Sequence, residues 1–536
     1  AQQDEYSKLN GCPIAYSLGT KAIESYISAE LLSAKMETRE GMTTGNNDLF
    51  LRLWHEIDNN KMNVKWFPYN KGGEYRKWYG NNEYLVNWEN DGYEIRKFKD
   101  LDTGRIRSHN YNGEFAFRKG ITWSAFSSRG ATFRYSNEQF LFDSKGSKAF
   151  CADIDLMYIL AFLNGIVSQH YLCFFAGAKD KKPGHIISLP YIDNQERALT
   201  VSLLAEKNVK MAQNDWDSFE YSWDFIKHPL LRGTSTIIEA FDQWQKFTEA
   251  QFSQSKANEE DLNRIFIEIY NLQEELTSDV DDKDVIIRKA DLGRDIRSFL
   301  SYAGGCMFGR YSLDVEGLIY AGGQWNESKY STFIPDKDNI LPVTDEEYFE
   351  DDIVGLFCAF VKKVYGTETL EENLVFIAQA LGNKGNTSRE IIRNYFVKDF
   401  FKDHCKVYQK RPIYWLFDSG KADGFKALIY MHRYDENTIG NLRIDYLHKM
   451  QRIYEREIVR MQETIANSTN AREVAAAEKR KDKLIKQLKE TKNYDEKIAH
   501  LALTRIDIDL DDGVKVNYEK VQTGTDGKKL EVLAKI

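Results

Sequence analysis

Residues 41–47, Gly-Met-Thr-Thr-Gly-Asn-Asn, and residues 71–80, Lys-Gly-Gly-Glu-Tyr-Arg-Lys-Trp-Tyr-Gly, decide how this chain is read. Glycines bracket short polar turns in both, and the second interleaves lysine and arginine with flat rings. Residues 120–124, Gly-Ile-Thr-Trp-Ser, followed by Arg129 and Arg134, continue the pattern. Cations alternating with rings and tight turns suit a surface that grips phosphates and presses on bases or sugars. The same residue types also suit an aromatic-rich β core with solvated cations, and composition alone leaves both readings open.

Short aromatic segments at 65–69, 84–88 and 115–117, separated by glycine and asparagine, predict twisted antiparallel strands. Residues 153–175 predict one helix, in which Leu156, Ile159, Leu160, Leu163, Ile166 and Val167 form a broad apolar stripe that braces those strands. Helical spacing then recurs at 198–211, 235–251 and 258–276, and again at 353–364, 370–381 and 394–408. From 441 to 499, apolar residues at three- and four-residue steps predict two long antiparallel helices joined by a polar turn. The alternation of Ile506, Ile508, Leu510, Val514 and Val516 predicts a small β-hairpin about residues 511–513. The fold class expected is therefore α+β.

A chain of 536 residues is too long for one core, and about three units of ~150 residues are expected. Hydrophobic residues at 42% with 8 prolines indicate folded protein. The longest apolar run, 156–175, is broken by Asn164, Gly165, Ser168, Gln169 and His170, so no membrane span is expected. Six scattered cysteines without a Cys-x-x-Cys spacing argue against a zinc ribbon or a disulfide framework, and point to a reducing cytoplasm. The first residues read like the middle of a longer protein. The formal charge of -9 is unevenly spread: residues 41–190 hold 20 lysines and arginines against 16 acids, and the remainder 53 against 66. A cationic patch on an acidic body is compatible with local, salt-sensitive DNA binding, and an excess of four can equally be spread over a solvated face.

The order of Gly-Met-Thr-Thr-Gly-Asn at 41–46, Lys-Gly-Gly-x-x-Arg at 71–76 and Gly-Ile-Thr-Trp-Ser at 120–124, then a strand and a leucine-rich helix, resembles the target-recognition domain of adenine-specific DNA methyltransferases. It is most similar to the PglX-like enzymes of BREX phage-defence systems. The words Gly-Gly-Cys-Met-Phe-Gly-Arg-Tyr at 304–311 and Arg-Pro-Ile-Tyr-Trp-Leu at 411–416 extend the likeness over nearly the whole chain. The resemblance implies a connector from a missing methyltransferase domain at 1–40, a target-recognition domain at 41–192 and a helical spacer at 193–300. A mixed C-terminal domain at 301–440, the helical hairpin at 441–500 and the small terminal hairpin at 501–536 complete the expected order.

The chemistry of methyl transfer is not visible in these residues. Such enzymes use a short loop of Asn or Asp, two prolines and an aromatic residue to hold the target amine beside S-adenosylmethionine. Here no two prolines are adjacent and none follows Asn or Asp. The glycine pairs 304–305 and 322–323 lack the strand-turn-helix setting of a cofactor turn. His170 and Cys173 do not amount to a metal site. Ser-Gly-Lys at 419–421 lacks the leading glycine of a phosphate loop. The acids near 511 miss the spacing of a calcium loop. No cofactor is expected in this chain, and S-adenosylmethionine is expected in the complete enzyme.

The expected role is therefore to grip double-stranded DNA and select the site. Arg76, Arg129 and Arg134 suit guanine edges or phosphates, and Asn46, Asn47 and Asn81 suit adenine edges. Lys71, Lys77 and Lys119 suit phosphate positioning, while Thr43 and Thr44 donate to phosphate or only stabilise their turn. Trp78 and Trp123 read as core anchors more than as base-stacking platforms. The acids at 345–352 and the cations Arg480, Lys481, Lys483 and Lys486 read as solvated faces. A scaffold docking other BREX proteins or a phage antagonist is the alternative function.

Overall fold

The computed structural model describes residues 18–127, 129–176, 180–382 and 384–536. Of the expected connector, residues 1–17 lie outside these. The fold is mixed α+β. Among the described residues the chain divides into two compact units, one of 18–54, 61–222 and 245–290, the other of 55–60, 223–244 and 291–536. The segment expected as a spacer at 193–300 is thus shared between both units.

In the first unit, helix α1 (Thr20–Ser28) leads into strands of two to five residues. These are β1 (Glu30–Leu31), β2 (Met36–Arg39), β3 (Leu51–Leu53), β4 (Trp66–Asn70), β5 (Tyr84–Asn87), β6 (Gly120–Trp123), β7 (Phe133–Ser136), β8 (Leu141–Phe142), β9 (Lys148–Cys151) and β10 (Pro190–Tyr191). One sheet has the order β2-β9-β6-β7 and is antiparallel throughout. A second has the order β3-β5-β4-β8, with β8 joining β4 in parallel, Tyr69 beside Leu141. The strand expected at 115–117 is not formed; Gly113–Phe115 is a 3-10 turn, and Phe117 takes a left-handed φ of 58°.

Helices α2 (Asp153–Asn164), α3 (Ile166–Phe175), α4 (Gln195–Asp217) and α5 (Ile237–Ile269) supply the remaining apolar faces. Trp123 and Phe133 of the first sheet share a core with Ile159, Phe162 and Leu163 of α2, Val201 and Ala205 of α4, and Leu262 and Phe266 of α5. The single helix expected over 153–175 is two, bent by 68° at Gly165. Gly165 is extended, and the bonds freed there are recovered locally: Ser168 Oγ donates to the carbonyls of Leu163 and Gly165, and Asn263 Oδ1 accepts the Ile166 amide at 2.9 Å. Among the described residues no single helix is long and apolar enough to cross a membrane. The two helices expected at 235–251 and 258–276 are one continuous α5.

The lysine-glycine-glycine word ends inside this unit. Trp78 is 1% exposed, and its Nε1 donates to Glu259 Oε1 of α5 at 2.7 Å, while Lys77 Nζ meets Glu259 Oε2 at 2.7 Å. Burial by itself lowers the pKa of an ammonium, but the Glu259 charge and hydrogen bond outweigh it, and Lys77 is held above its ordinary value. One residue earlier, Arg76 Nη2 pairs with Asp215 Oδ2 of α4 at 2.7 Å, and Arg288 Nη2 reaches the same oxygen at 2.7 Å. Burial opposes the charge of Asp215; Arg288 and Arg76 overcome it and hold its carboxyl below the ordinary value.

The second unit contains α6 (Leu292–Met307), α7 (Ile353–Tyr365), α8 (Leu370–Leu381), α9 (Ser388–Lys398) and α10 (Phe400–Val407). Its sheet has the order β11-β13-β12, from β11 (Leu341–Pro342), β12 (Tyr414–Asp418) and β13 (Lys426–Tyr430). Two long helices follow, α11 (His448–Asn467) and α12 (Ala471–Thr504), packed antiparallel through His448 to Asp495 and Gln451 to the Thr491 carbonyl. The acids at 345–352 are not simply solvated. Asp345 Oδ2 takes Arg480 at 3.1 Å and Lys483 at 2.5 Å, and Asp352 takes both Nη atoms of Arg393.

The β-hairpin expected about 511–513 is also absent: residues Gly513–Lys520 form helix α13. Val514, Asn517, Tyr518 and Val521 are buried at three- and four-residue spacing, which overrides the shorter alternation of Val514 and Val516. Asn517 Nδ2 donates to the carbonyls of Asp509 and Gly513 and fixes the start of that helix.

Glu259→Ala leaves an ammonium and an indole N–H buried without their acceptor, and should destabilise the first unit by about 3–5 kcal/mol. Hydrogen exchange in β6 and β7 measures this; a loss below about 1 kcal/mol would contradict the role given to Glu259. The depressed pKa of Asp215 makes its stabilisation complete above the unfolded carboxyl value of about 4 and lost as pH falls through the lower folded value. The same amides should therefore exchange from progressively less stable protein in acid, and Asp215→Asn should flatten that dependence. An acid limb unchanged by the substitution would assign it to other groups.

Candidate nucleic-acid interface

Four of the eleven residues expected to touch DNA are internal to the first unit. Arg76 and Lys77 carry the buried ion pairs described above, and the Arg76 guanidinium also stacks 4.8 Å from the Trp216 ring. Arg134 is 1% exposed; Nη1 donates to the Arg76 carbonyl at 3.2 Å, and burial, with Arg76 nearby, lowers its pKa to about 10. Asn81 is buried, takes a left-handed φ of 60°, and donates Nδ2 to the Glu74 carbonyl at 3.0 Å. These four side chains are turned into the unit and bond to partners there, with Arg134 Nε buried and, among the described residues, unpartnered. Trp78 and Trp123 are core anchors, the latter donating Nε1 to the Lys181 carbonyl at 2.8 Å.

Two more expected residues stand singly at the surface. Lys119 Nζ pairs with Asp153 Oδ2 at 2.5 Å. Arg129 pairs with Asp284 at 2.9 Å, donates to the Lys283 carbonyl and lies 4.2 Å above the Tyr75 ring.

The other five, Thr43, Thr44, Asn46, Asn47 and Lys71, converge. With Gly45, Asp143, Ser144 and Lys145 they line an open pocket of about 230 Å³. The local sequence explains the assembly. Gly45 turns the chain at a φ of 74°, with its Cα backed against the Arg107 backbone, where a Cβ would lie 2.9 Å from the Arg107 carbonyl carbon. Asn46 then caps the single-turn helix Asn47–Phe50 by accepting the Leu49 amide at 3.2 Å. Thr44 is buried and its hydroxyl donates to Asn47 Oδ1 at 2.6 Å. The parallel pairing of β4 with β8 brings Lys71 beside the turn Asp-Ser-Lys-Gly at 143–146.

Asp143 organises the floor. Its side chain is 3% exposed, and Oδ2 accepts from Lys71 Nζ at 2.5 Å and from the Tyr69 hydroxyl at 2.8 Å. Its Oδ1 accepts the Lys145 amide at 2.8 Å. Burial, then the Asp143 charge, push the Tyr69 phenol well above its ordinary value, so it stays a neutral donor.

Residues not anticipated extend this surface. Thr43 exchanges backbone hydrogen bonds with His109, at 2.8 and 3.0 Å, which places the exposed Arg107 and His109 beside the turn. The His109 and Tyr111 rings stack 5.4 Å apart, and Tyr111 is 54% exposed. The turn signature at 143–146 could have revealed Lys145; nothing in the sequence pairs residue 43 with residue 109.

Elsewhere, among the described residues, Asp336, Asp338 and Asp351 of the second unit are grouped closely enough to hold a cation. Burial and the adjoining Asp338 push Asp336 up to about 7, and the single Tyr446 hydroxyl lies 2.8 Å from an Asp338 oxygen and 2.5 Å from an Asp351 oxygen.

No protein-family model matches the chain. It is 48% identical over 550 residues to the adenine-specific methyltransferase PglX of Lacticaseibacillus casei (strain Zhang), an alignment covering 98% of this chain and 45% of the relative. It is 36% identical over 559 residues to the adenine-specific methyltransferase BrxX of Escherichia coli O9:H4 (strain HS), covering 97% of this chain and 45% of that relative. The chain thus spans about half the length of the curated relatives it matches.

Asp143→Ala leaves the Lys71 ammonium and the Tyr69 hydroxyl without their shared acceptor, and should cost about 3 kcal/mol. Hydrogen exchange should rise first in the turns at 43–47 and 143–146. Unchanged protection there would contradict the organising role of Asp143.

Proposed function

We propose that this chain is the DNA-gripping, target-recognition part of an adenine-specific methyltransferase of the PglX and BrxX kind. The observation that carries the reading is the convergence of Thr43, Asn46, Asn47, Lys71 and Lys145 on one open pocket, with Arg107 and His109 alongside. The likeness to methyltransferases over 97–98% of the chain supports it.

The surface suits a duplex in three ways. Lysine and arginine attract the phosphate backbone and displace its counterions. Thr43 and the asparagine amides offer directed hydrogen bonds. The His109 and Tyr111 rings add flat, half-polar area beside the turn. Docking there would hold DNA in register while the target adenine is extruded toward an active site. The methyl transfer, with S-adenosylmethionine as donor, is assigned to the part of the relatives' length that this chain does not cover. The recognition function is assigned to residues 41–192.

Fluorescence anisotropy of the 536-residue chain with a mixed-sequence duplex tests the reading. Affinity should fall linearly on a log–log plot against salt, and Lys145→Ala or Arg107→Ala should each reduce the slope by about one. Undetectable binding at low salt, or binding indifferent to salt and to both substitutions, would overturn it and favour a protein-docking scaffold.

A further inference from the structure

The amide and carboxylate oxygens of the pocket each already accept a hydrogen bond. Asn46 Oδ1 accepts the Leu49 amide, and because a backbone N–H can only donate, the amide oxygen of Asn46 must be the atom there. Asn47 meets the Thr44 hydroxyl at 2.6 Å, a separation usual for O–H···O and short for N–H···O, so its oxygen also faces inward. Asp143 Oδ2 takes Lys71 and Tyr69, and Oδ1 takes the Lys145 amide and, at 3.4 Å, the Ser144 hydroxyl. What the amides and ammonium groups of the lining have left is donors, the Nδ2 groups of Asn46 and Asn47 and the N–H groups of Lys71 and Lys145, while the Thr43 and Ser144 hydroxyls can turn either way. Among the described residues neither amide nitrogen has a hydrogen-bond partner.

A bidentate asparagine reads adenine by accepting from N6 while donating to N7. Asn46 and Asn47 lack the accepting half of that pair. We infer that this pocket favours a ligand edge composed only of acceptors, either phosphate oxygens or the O6 and N7 of guanine, over an edge that carries an amino group. Asn46 is then a residue that determines what the surface accepts. This inference rests on the DNA-binding reading above.

Asn46→Asp tests it cleanly, because aspartate caps a helix as well as asparagine does and keeps the oxygen facing Leu49, while the free NH2 becomes a second acceptor. Asn46→Ser also keeps a cap and removes the donor without adding charge. Anisotropy is measured with one mixed-sequence duplex in three forms: unmodified, with 7-deazaguanine in place of guanine, and with alternate methylphosphonate linkages. On the unmodified duplex Asn46→Asp should bind at least tenfold more weakly than the parent chain, and Asn46→Ser a few-fold more weakly. The difference should shrink on the methylphosphonate duplex if the acceptor is phosphate, or on the 7-deazaguanine duplex if it is guanine. Equal affinity of parent and both variants, or a difference that persists undiminished on both modified duplexes, would overturn the inference while leaving DNA binding intact. Failure of the parent chain to bind any of the three would instead remove the DNA-binding reading on which it stands.

Discussion

Two buried carboxylates, Asp215 of α4 and Glu259 of α5, set the terms for the first unit. Each takes cations from the arginine-lysine-tryptophan word of residues 76–78, and Asp215 takes Arg288 as well. A charge removed from water persists only with a partner and further hydrogen bonds, so the helices and the word they clamp are mutually obligatory. The short strands gain from this, because strands of two to five residues would hold little by themselves. The same clamp withdraws Arg76 and Lys77 from solvent. Lys119 and Arg129 stand singly outside it, as does the glycine-threonine turn with the side chains gathered round it.

That division explains what was legible from the residues and what was not. The α+β class, the strands at 66–70 and 84–87 and the core position of Trp78 and Trp123 followed from alternation, glycine punctuation and ring size. The convergence of Thr43, Thr44, Asn46, Asn47 and Lys71 was implicit in their glycine-bounded turns. The fate of Arg76, Lys77 and Arg134 was not, because their partners lie up to 182 positions away and cation–ring alternation reads the same in a core and on a surface. Gly165 could be seen to interrupt the apolar run, yet the bend depends on Asn263, almost a hundred residues on. In the tail, two valines two apart suggested a strand, but Asn517, Tyr518 and Val521 carried the longer period that won. Arg480 and Lys483 looked like solvated charges for the same reason that Asp345 did: neither sequence neighbourhood reveals the other.

The pocket turn couples folding to function. Asn46 and Asn47 each give an oxygen to the turn and keep a nitrogen for whatever binds, so the side chains that shape the loop also set the hydrogen-bonding character of its surface. Asp143 does likewise, neutralising Lys71 enough to be held in place while leaving N–H groups facing the pocket. A recognition surface made in this way is ordered before its ligand arrives, which lowers the entropy lost on binding. The likeness to PglX and BrxX runs along almost the entire chain.

The central claim is that the cations of residues 41–190 fall into two populations, one structural and one presented to DNA. Lysine acylation followed by peptide mass spectrometry, with and without bound duplex, addresses both at once. The account predicts that Lys77 stays unreactive in either state, whereas Lys145 reacts in the free chain and is protected by DNA, with Lys71 protected alongside it. Ready acylation of Lys77 in the folded chain, or protection by DNA that spares Lys145, would contradict it.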